Sequence, residues 1–250
     1  MSEEIKDIRI VPESECCGCA ACANACPVDA IRMEEGKEGF VFPKVDLNTC
    51  IQCGKCVKTC PVLEIDRPNR KEPDCRAAYG QDEIRRVSSS GAVFTLLAES
   101  VFQKDGVVYG VALNDAFEIE HRRIISMEEL AALRRSKYVQ SRVGLSYRQV
   151  KQDLKDGKTV LFSGTPCQNA GLRKYLGKTD KENLEASVLR LVTVRQGLNL
   201  IHILSDGQKR QEAEALAASI TGGMGLLPLT AVVTFFVMGM WALAEAFVRS

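Results

Sequence analysis

Eleven cysteines stand beside two histidines in this 250-residue chain. Ten of the eleven fall within the first 75 residues, and only Cys167 lies beyond. Eight of them form two copies of one pattern, Cys-x-x-Cys-x-x-Cys-x-x-x-Cys-Pro. The first copy is Cys16, Cys19, Cys22 and Cys26 before Pro27; the second is Cys50, Cys53, Cys56 and Cys60 before Pro61. Thiolate is a soft ligand that suits iron and sulfide. Three cysteines two residues apart wrap one corner of a cubane cluster from a tight loop, and the fourth, a turn later, points away from it. Two other chemistries fit less well. Disulfide frameworks belong to short secreted chains, and the N-terminus MSEEIKDIRI lacks the apolar core of a signal peptide. Zinc sites mix cysteine with histidine or pair two Cys-x-x-Cys units. A reducing, cytoplasmic setting is therefore expected.

The duplicated motif resembles that of two-cluster bacterial ferredoxins over residues 8–65, and Gly36–Asp46 is similar to that family's hairpin between motifs. The resemblance implies two 4Fe–4S clusters with crossed ligation. One takes Cys16, Cys19, Cys22 and Cys60; the other takes Cys50, Cys53, Cys56 and Cys26. Pro27 and Pro61 turn the chain after each crossing ligand, and Gly18 and Gly54 are expected to relieve crowding near the sulfides. Cys17 reads as a spare thiol and Cys75 as an unligated cysteine.

The elements that follow read as α/β. Ala92–Phe102 has helical length and apolar content, and Val107–Leu113 is a β-branched run bounded by Asp105-Gly106 and Asn114-Asp115. Met127–Arg135 reads as a helix with Ser126 and Glu129 in a capping box. Tyr147–Lys155 reads as another, closed by Gly157. Val160–Phe162 is a short buried strand running into Ser163-Gly164-Thr165-Pro166. Strands alternating with helices predict βαβ units and a largely parallel sheet.

Ser88, Ser89, Ser90 and Gly91 precede the first of these helices. Hydroxyls and free N–H groups there either bind phosphate or simply cap the helix. Lys137 and Tyr138 offer a cation and an aromatic wall, or else a surface lysine beside a core tyrosine. Gly164, Thr165 and Cys167 lie in a turn after a strand, where open α/β sheets bind ligands. SSSGAVFTLLAES, GVVYGVAL, SKYVQS and FSGTPCQNAGLRKYL, in this order, resemble the coenzyme F420 hydrogenase/dehydrogenase beta-subunit family over residues 76–186. That resemblance implies a flavin, FAD, or a deazaflavin held by Ser89, Ser90, Gly91, Lys137, Tyr138 and Ser141. Cys167 lies in the family's redox region, but no cysteine follows it, so a third cluster is not expected.

Past residue 186 the family pattern stops, and the chain weakly resembles the C-terminal part of uncharacterised bacterial membrane proteins. Residues 215–244 carry no charge, and Leu226–Ala244 is long and apolar enough for a membrane span. The expected architecture is thus α+β. A ferredoxin domain (1–67) and a linker (68–75) lead into an incomplete α/β flavin-type domain (76–186) and a helical hydrophobic tail (187–250). The first 75 residues hold 10 basic against 14 acidic residues, whereas the chain as a whole has net charge +1. That balance gives no basic surface for nucleic acid. A hydrophobic content of 46% excludes a disordered or collagen-like chain. The expected function is an iron–sulfur flavoprotein oxidoreductase that exchanges electrons with a redox protein or a small carrier. The alternative is a non-catalytic ferredoxin-like electron carrier, with membrane contact through residues 226–244 as a further expectation. His121 and His202 have no motif around them and read as structural or exposed.

Overall fold

The computed structural model describes residues 6–63, 79–89 and 91–177, with the backbone of 192–195 and 198–201. The N-terminal region opens with a short 3-10 turn, Ile8–Ile10. Helix α1 (Ala21–Ala25), strands β1 (Ile31–Glu35) and β2 (Val41–Val45), and helix α2 (Lys55–Thr59) follow. β1 and β2 form an antiparallel hairpin with Ile31 opposite Val45 and Glu35 opposite Val41. Ile8, Val11, Ala30 and Ile31 pack among Cys22, Cys26, Cys56 and Cys60 in one small core.

The second region runs α3 (Asp82–Arg86), α4 (Val93–Phe102), β3 (Val107–Leu113), β4 (Ile119–Ile124), α5 (Leu130–Leu133), α6 (Ser146–Lys155), β5 (Val160–Phe162) and α7 (Pro166–Leu176). Its sheet has the order β4-β3-β5. Strand β3 is buried on both faces, and its alternation supplies two cores. Val107 and Tyr109 join Val160 and Phe162 on one side. Val108 and Ala112 join Leu161, Leu97 and Leu130 on the other, beneath α4 and α5.

The two regions share a core. Cys19, Ala20 and Ala21 pack with Tyr147, Val150, Leu172 and Leu176. Gly171 makes this close approach feasible: a Cβ there would lie 3.0 Å from the Cys19 Sγ and 3.2 Å from the Ala21 Cβ. Polar contacts complete the seam. Arg148 donates to the carbonyls of Asn24 (2.9 Å) and Cys26 (2.8 Å) and to the Asp29 carboxylate (2.6 Å). These carbonyls lie at the end of α1, where backbone acceptors lack helical partners. Asn24 donates to Gly144 O (2.8 Å), and the Gln140 side chain accepts from Val41 N–H (3.0 Å).

Several expectations hold: β3, β5 and the Gly157 closure of α6 stand where the sequence put them, with Gly157 at φ +76°. Others need correction. The sheet is mixed, because β4 runs antiparallel to β3 while only β5 is parallel to it. Asn114 and its neighbours make a hairpin turn rather than a strand end, the Asn114 side chain accepting from the Ala116 and Glu118 N–H groups. No capping box forms at Ser126: α5 starts at Leu130, and the Glu129 carboxylate instead accepts from the Ile125 N–H. Nor does a serine cap α4, whose N-cap is Ala92 in the left-handed region.

Strands β6 (Val192–Arg195) and β7 (Leu198–Ile201) pair antiparallel within the stretch read as helical. Alternating apolar and polar residues around a Gly-containing pair, Gln196-Gly197, were the hairpin signal there. The 68–75 linker and Leu226–Ala244 lie outside the described residues. Among the described residues no helix is long and apolar enough to cross a membrane.

Replacing Gly171 with valine should force α7 away from Cys19. A loss of about 1–3 kcal/mol is expected from such overpacking, read as a lower melting temperature. An unchanged melt would show that the seam is not closely packed.

Candidate functional site

The two cysteine frames are built alike. The second repeats the first 34 residues on, from Cys16 to Cys50. Each has two left-handed residues between its cysteines: Gly18 (φ +63°) and Ala20 (+60°) in the first, Gln52 (+51°) and Gly54 (+69°) in the second. These reversals turn each loop back on itself between its first and third cysteines. The third ligand of each set, Cys22 or Cys56, sits on the short helix that follows. The fourth, Cys26 or Cys60, leaves that helix in extended conformation. The role expected of the glycines is therefore refined. At Gly18 the crowding comes from the Val41 carbonyl and the Gln140 side chain; at Gly54 there is open space and the backbone turn is what matters.

Cys26, Cys50, Cys53 and Cys56 line a single cavity with Pro27 and Ile31. On the other side, Cys22 lies within electrostatic reach of Cys16 and Cys60. The cavity takes three cysteines from the second motif and one from the first, and the surroundings of Cys22 likewise include cysteines of both motifs. All ten described cysteines are free. Among the described residues no three His, Cys, Asp or Glu side chains converge tightly enough for a single ion. The donor set is all thiol, which fits an iron–sulfur cluster.

Backbone N–H groups already point at the sulfurs. Ala30 donates to Cys26 Sγ (3.2 Å), and the backbone at Gly18 favours the Cys16 thiolate as that at Ile8 and Val57 favours the Cys56 thiolate. Such bonds tune cluster potential. Burial is the leading cause that pushes the Cys22 thiol up to about 12. Loading iron therefore displaces a proton from it.

The second feature is a cleft of about 830 Å³ walled by α3, α4, the α5–α6 connection and the β5–α7 turn. Ligand pockets commonly span about 300–1,000 Å³. It gathers Ser89, Lys137, Tyr138, Ser141, Gly164 and Thr165 from the expected cofactor set. Gly91 and Cys167 do not line it, and Ser90 lies outside the described residues. Four cations, Arg86, Arg134, Arg135 and Lys137, line it with no carboxylate among its described walls. Arg134 Nε is buried there without a hydrogen-bond partner among the described residues. An anionic ligand fits such a wall.

Two of the expected residues have other duties. Lys137 Nζ donates to the Ala132 (2.9 Å) and Arg134 (2.7 Å) carbonyls at the end of α5. The buried Ser141 hydroxyl meets Gln168 Nε2 (3.0 Å) and His121 Nδ1 (3.2 Å). Tyr138 is 94% exposed and free to cover a ligand. Sequence reasoning overlooked Arg134 and Arg135, although the basic run Arg134-Arg135-Ser136-Lys137 was visible. It also overlooked Gln168, whose side chain accepts from the Thr165 N–H (2.9 Å) in the N-terminal turn of α7.

One side chain joins the two features. The buried Tyr147 hydroxyl sits 2.8 Å from the Cys19 carbonyl and 2.7 Å from that of Gln168, which lines the cleft. Cys17 and Cys167 lie beside this contact, both half-buried, with Cys167 Sγ 3.9 Å from the Cys17 carbonyl. The Cys167 contact holds the Cys17 thiol down, but its bond with Cys19 and burial outweigh this and lift it to about 11. Cys167 is also raised, by the Cys17 bond first and burial second.

Residues 15–63 match a 4Fe-4S dicluster domain family. A second family of the same description matches residues 42–95. That second segment contains one full motif, Cys50–Cys60, and one further cysteine, Cys75. Residues 176–249 match a family of unknown function (DUF5702), beginning at the last residue of α7. No curated protein matches the chain. The N-terminal region is thus of the ferredoxin-type, 4Fe–4S dicluster class, which points to iron–sulfur electron transfer.

His121 is structural, as expected. It is 8% exposed, stacks on Phe162 at 4.9 Å and bonds Ser163 O through Nε2 (3.1 Å). Burial lowers its pKa to about 4, against the opposing pull of the Ser163 carbonyl. The neutral imidazole is the form that fits. Its stability contribution is complete above the unfolded value of 6.5 and is lost as pH falls through about 4. The full loss is about 3 kcal/mol. Melting temperatures at pH 7 and pH 4 should therefore differ less in His121→Gln than in the parent chain; an equal difference would rule this group out.

Proposed function

We propose that the chain is an iron–sulfur flavoprotein oxidoreductase of the F420 hydrogenase/dehydrogenase beta-subunit type. It passes electrons between two 4Fe–4S clusters and a flavin or deazaflavin in the cationic cleft. One cluster is held by Cys16, Cys19, Cys22 and Cys60, the other by Cys50, Cys53, Cys56 and Cys26. When bound, the clusters supply one-electron steps, and a flavin converts these to two-electron chemistry.

The observation that carries this reading is the Tyr147 bridge, which sets the Cys19 backbone against a wall of the cleft. The protein's own part is positioning. Arg86, Arg134 and Arg135 would supply positive charge to an anionic cofactor, and Gly164 and Thr165 would line its site at the start of α7. Tyr138 covers the open side. The exposed Cys53, beside the exposed Ile51, offers the edge where a redox partner or carrier docks. A second reading, a ferredoxin-like electron carrier without catalysis, is favoured by the confinement of the iron–sulfur matches to residues 15–95.

Anaerobically purified full chain should carry about eight irons and release FAD on denaturation. Iron without flavin sinks the enzyme reading and leaves the carrier. Crossed ligation predicts that Cys60→Ser removes the same paramagnetic signal as Cys16→Ser, and Cys26→Ser the same signal as Cys50→Ser. Signals that pair within each motif would reverse the assignment.

Tyr147→Phe, which removes the shared hydroxyl and keeps the ring, should slow cluster-to-flavin transfer measured by stopped flow. It should also destabilise the fold by about 1–3 kcal/mol. Transfer at the parental rate would remove Tyr147 from the positioning role.

A further inference from the structure

Two cysteines remain outside the eight-ligand pattern within the described residues, and the fold brings them together from opposite sides of the seam. Cys17 lies in the first motif's loop, between Cys16 and Cys19. Cys167 is the second residue of α7. Cys167 Sγ reaches the Cys17 carbonyl at 3.9 Å, and each thiol is the other's leading electrostatic partner. Thr165 Oγ1 holds the Cys167 sulfur from the other side at 3.1 Å. Both residues are half-buried, so a small solute reaches them. Both also pack against the core shared by the two regions.

We propose that Cys17 and Cys167 form a reversible disulfide by exchange with a low-molecular-weight disulfide, locking the first cysteine loop to the start of α7. One protein thiol opens the external disulfide, R–S–S–R, giving a mixed disulfide and one R–SH. The second protein thiol then displaces the remaining R–SH and closes the Cys17–Cys167 bond. Two thiols are oxidised and one external disulfide is reduced to two thiols; no further oxidant enters. Excess R–SH reverses both steps.

The bond would span 150 residues of sequence. It would fix the chain between Cys16 and Cys19 to the turn whose Thr165, Pro166 and Gln168 wall the cleft. The reduced pair leaves that seam held by packing and hydrogen bonds alone. The oxidised pair makes it covalent, so the thiol poise of the surroundings sets how firmly the cysteine frame is held to the cleft.

The test uses full-length, iron-loaded protein treated with oxidised glutathione under argon in mildly alkaline buffer, then alkylated and digested with trypsin without reduction. Cleavage after Lys158 and Arg173 releases Cys167 as the one cysteine of its peptide, whereas cleavage after Arg9 and Arg32 keeps the whole first motif together. The expected product is a cross-link between these peptides, lost in both Cys17→Ser and Cys167→Ser and reversed by excess glutathione.

The melting temperature should rise by about 5 °C or more on oxidation of the parent chain, and stay put in Cys167→Ser. Absence of the cross-link, or its persistence in Cys17→Ser, overturns the proposal. A cross-link that leaves the melt unchanged overturns the lock. Iron content and visible absorbance, recorded before oxidation, report separately on whether the clusters are present.

Discussion

The close approach of α1 to α7 is the constraint on which the other contacts depend. Ala20, Ala21 and Gly171 are small where the two regions meet, and any larger side chain would separate Cys19 from α7. A gap this narrow is worth making only if something spans it, and Tyr147 does. Its ring fills the shared core while its hydroxyl reaches two backbone carbonyls, one from each side. A buried phenol without such partners would be costly, so the interface and the ring orientation specify each other.

Tyr147 can do this because α6 is held firmly on the sheet. Asp153, one and a half turns further along α6, receives Tyr109 Oη (2.6 Å) from β3 and Arg123 Nε (2.8 Å) and Nη2 (2.8 Å) from β4. Lys158 Nζ adds a fourth contact at 3.2 Å. Burial pushes the Asp153 carboxyl up, but the Arg123, Tyr109 and Lys158 bonds outweigh it and hold the pKa at about 2. The carboxylate is therefore ionised throughout the ordinary pH range. Removing one partner of such a buried pair typically costs about 3–5 kcal/mol. The charged anchor fixes the helix register; the apolar residues Val150 and Tyr147 on the same helix then meet the seam in one arrangement.

What was legible in the sequence follows from how local the cause is. The cysteine frames were readable because ligand spacing is a local property, and so were β3 and β5, whose β-branched runs pack on both faces. Strand β4 was not. Its sequence, Ile-Glu-His-Arg-Arg-Ile, has two apolar residues, and its place depends on His121 and Arg123 meeting partners on Ser163 and Asp153. The left-handed Ala20 and Gln52 were equally hidden, since such turns usually announce themselves with glycine. The cleft was half visible: its serines and Lys137 stood in recognisable strings, whereas Arg86 joins it only through the packing of α3. Tyr147 belongs to no motif, and its role depends on Cys19, 128 residues away.

Local symmetry and tertiary asymmetry together give the iron–sulfur region a direction. The two frames share spacing, left-handed turns and helix caps to within a few degrees at Cys26 and Cys60. Neither ligand spacing nor cap geometry distinguishes one from the other. The distinction arises because the first frame is buried against α6 and α7, whereas the second leaves Cys53 and Ile51 exposed. Hydrogen bonds to sulfur and solvent exposure both shift cluster potentials, so two frames of the same local design acquire different environments through docking alone. The duplicated motif thus has one frame packed inward and one exposed, and the asymmetry resides in Gly171, Tyr147 and Arg148 rather than in any cluster cysteine.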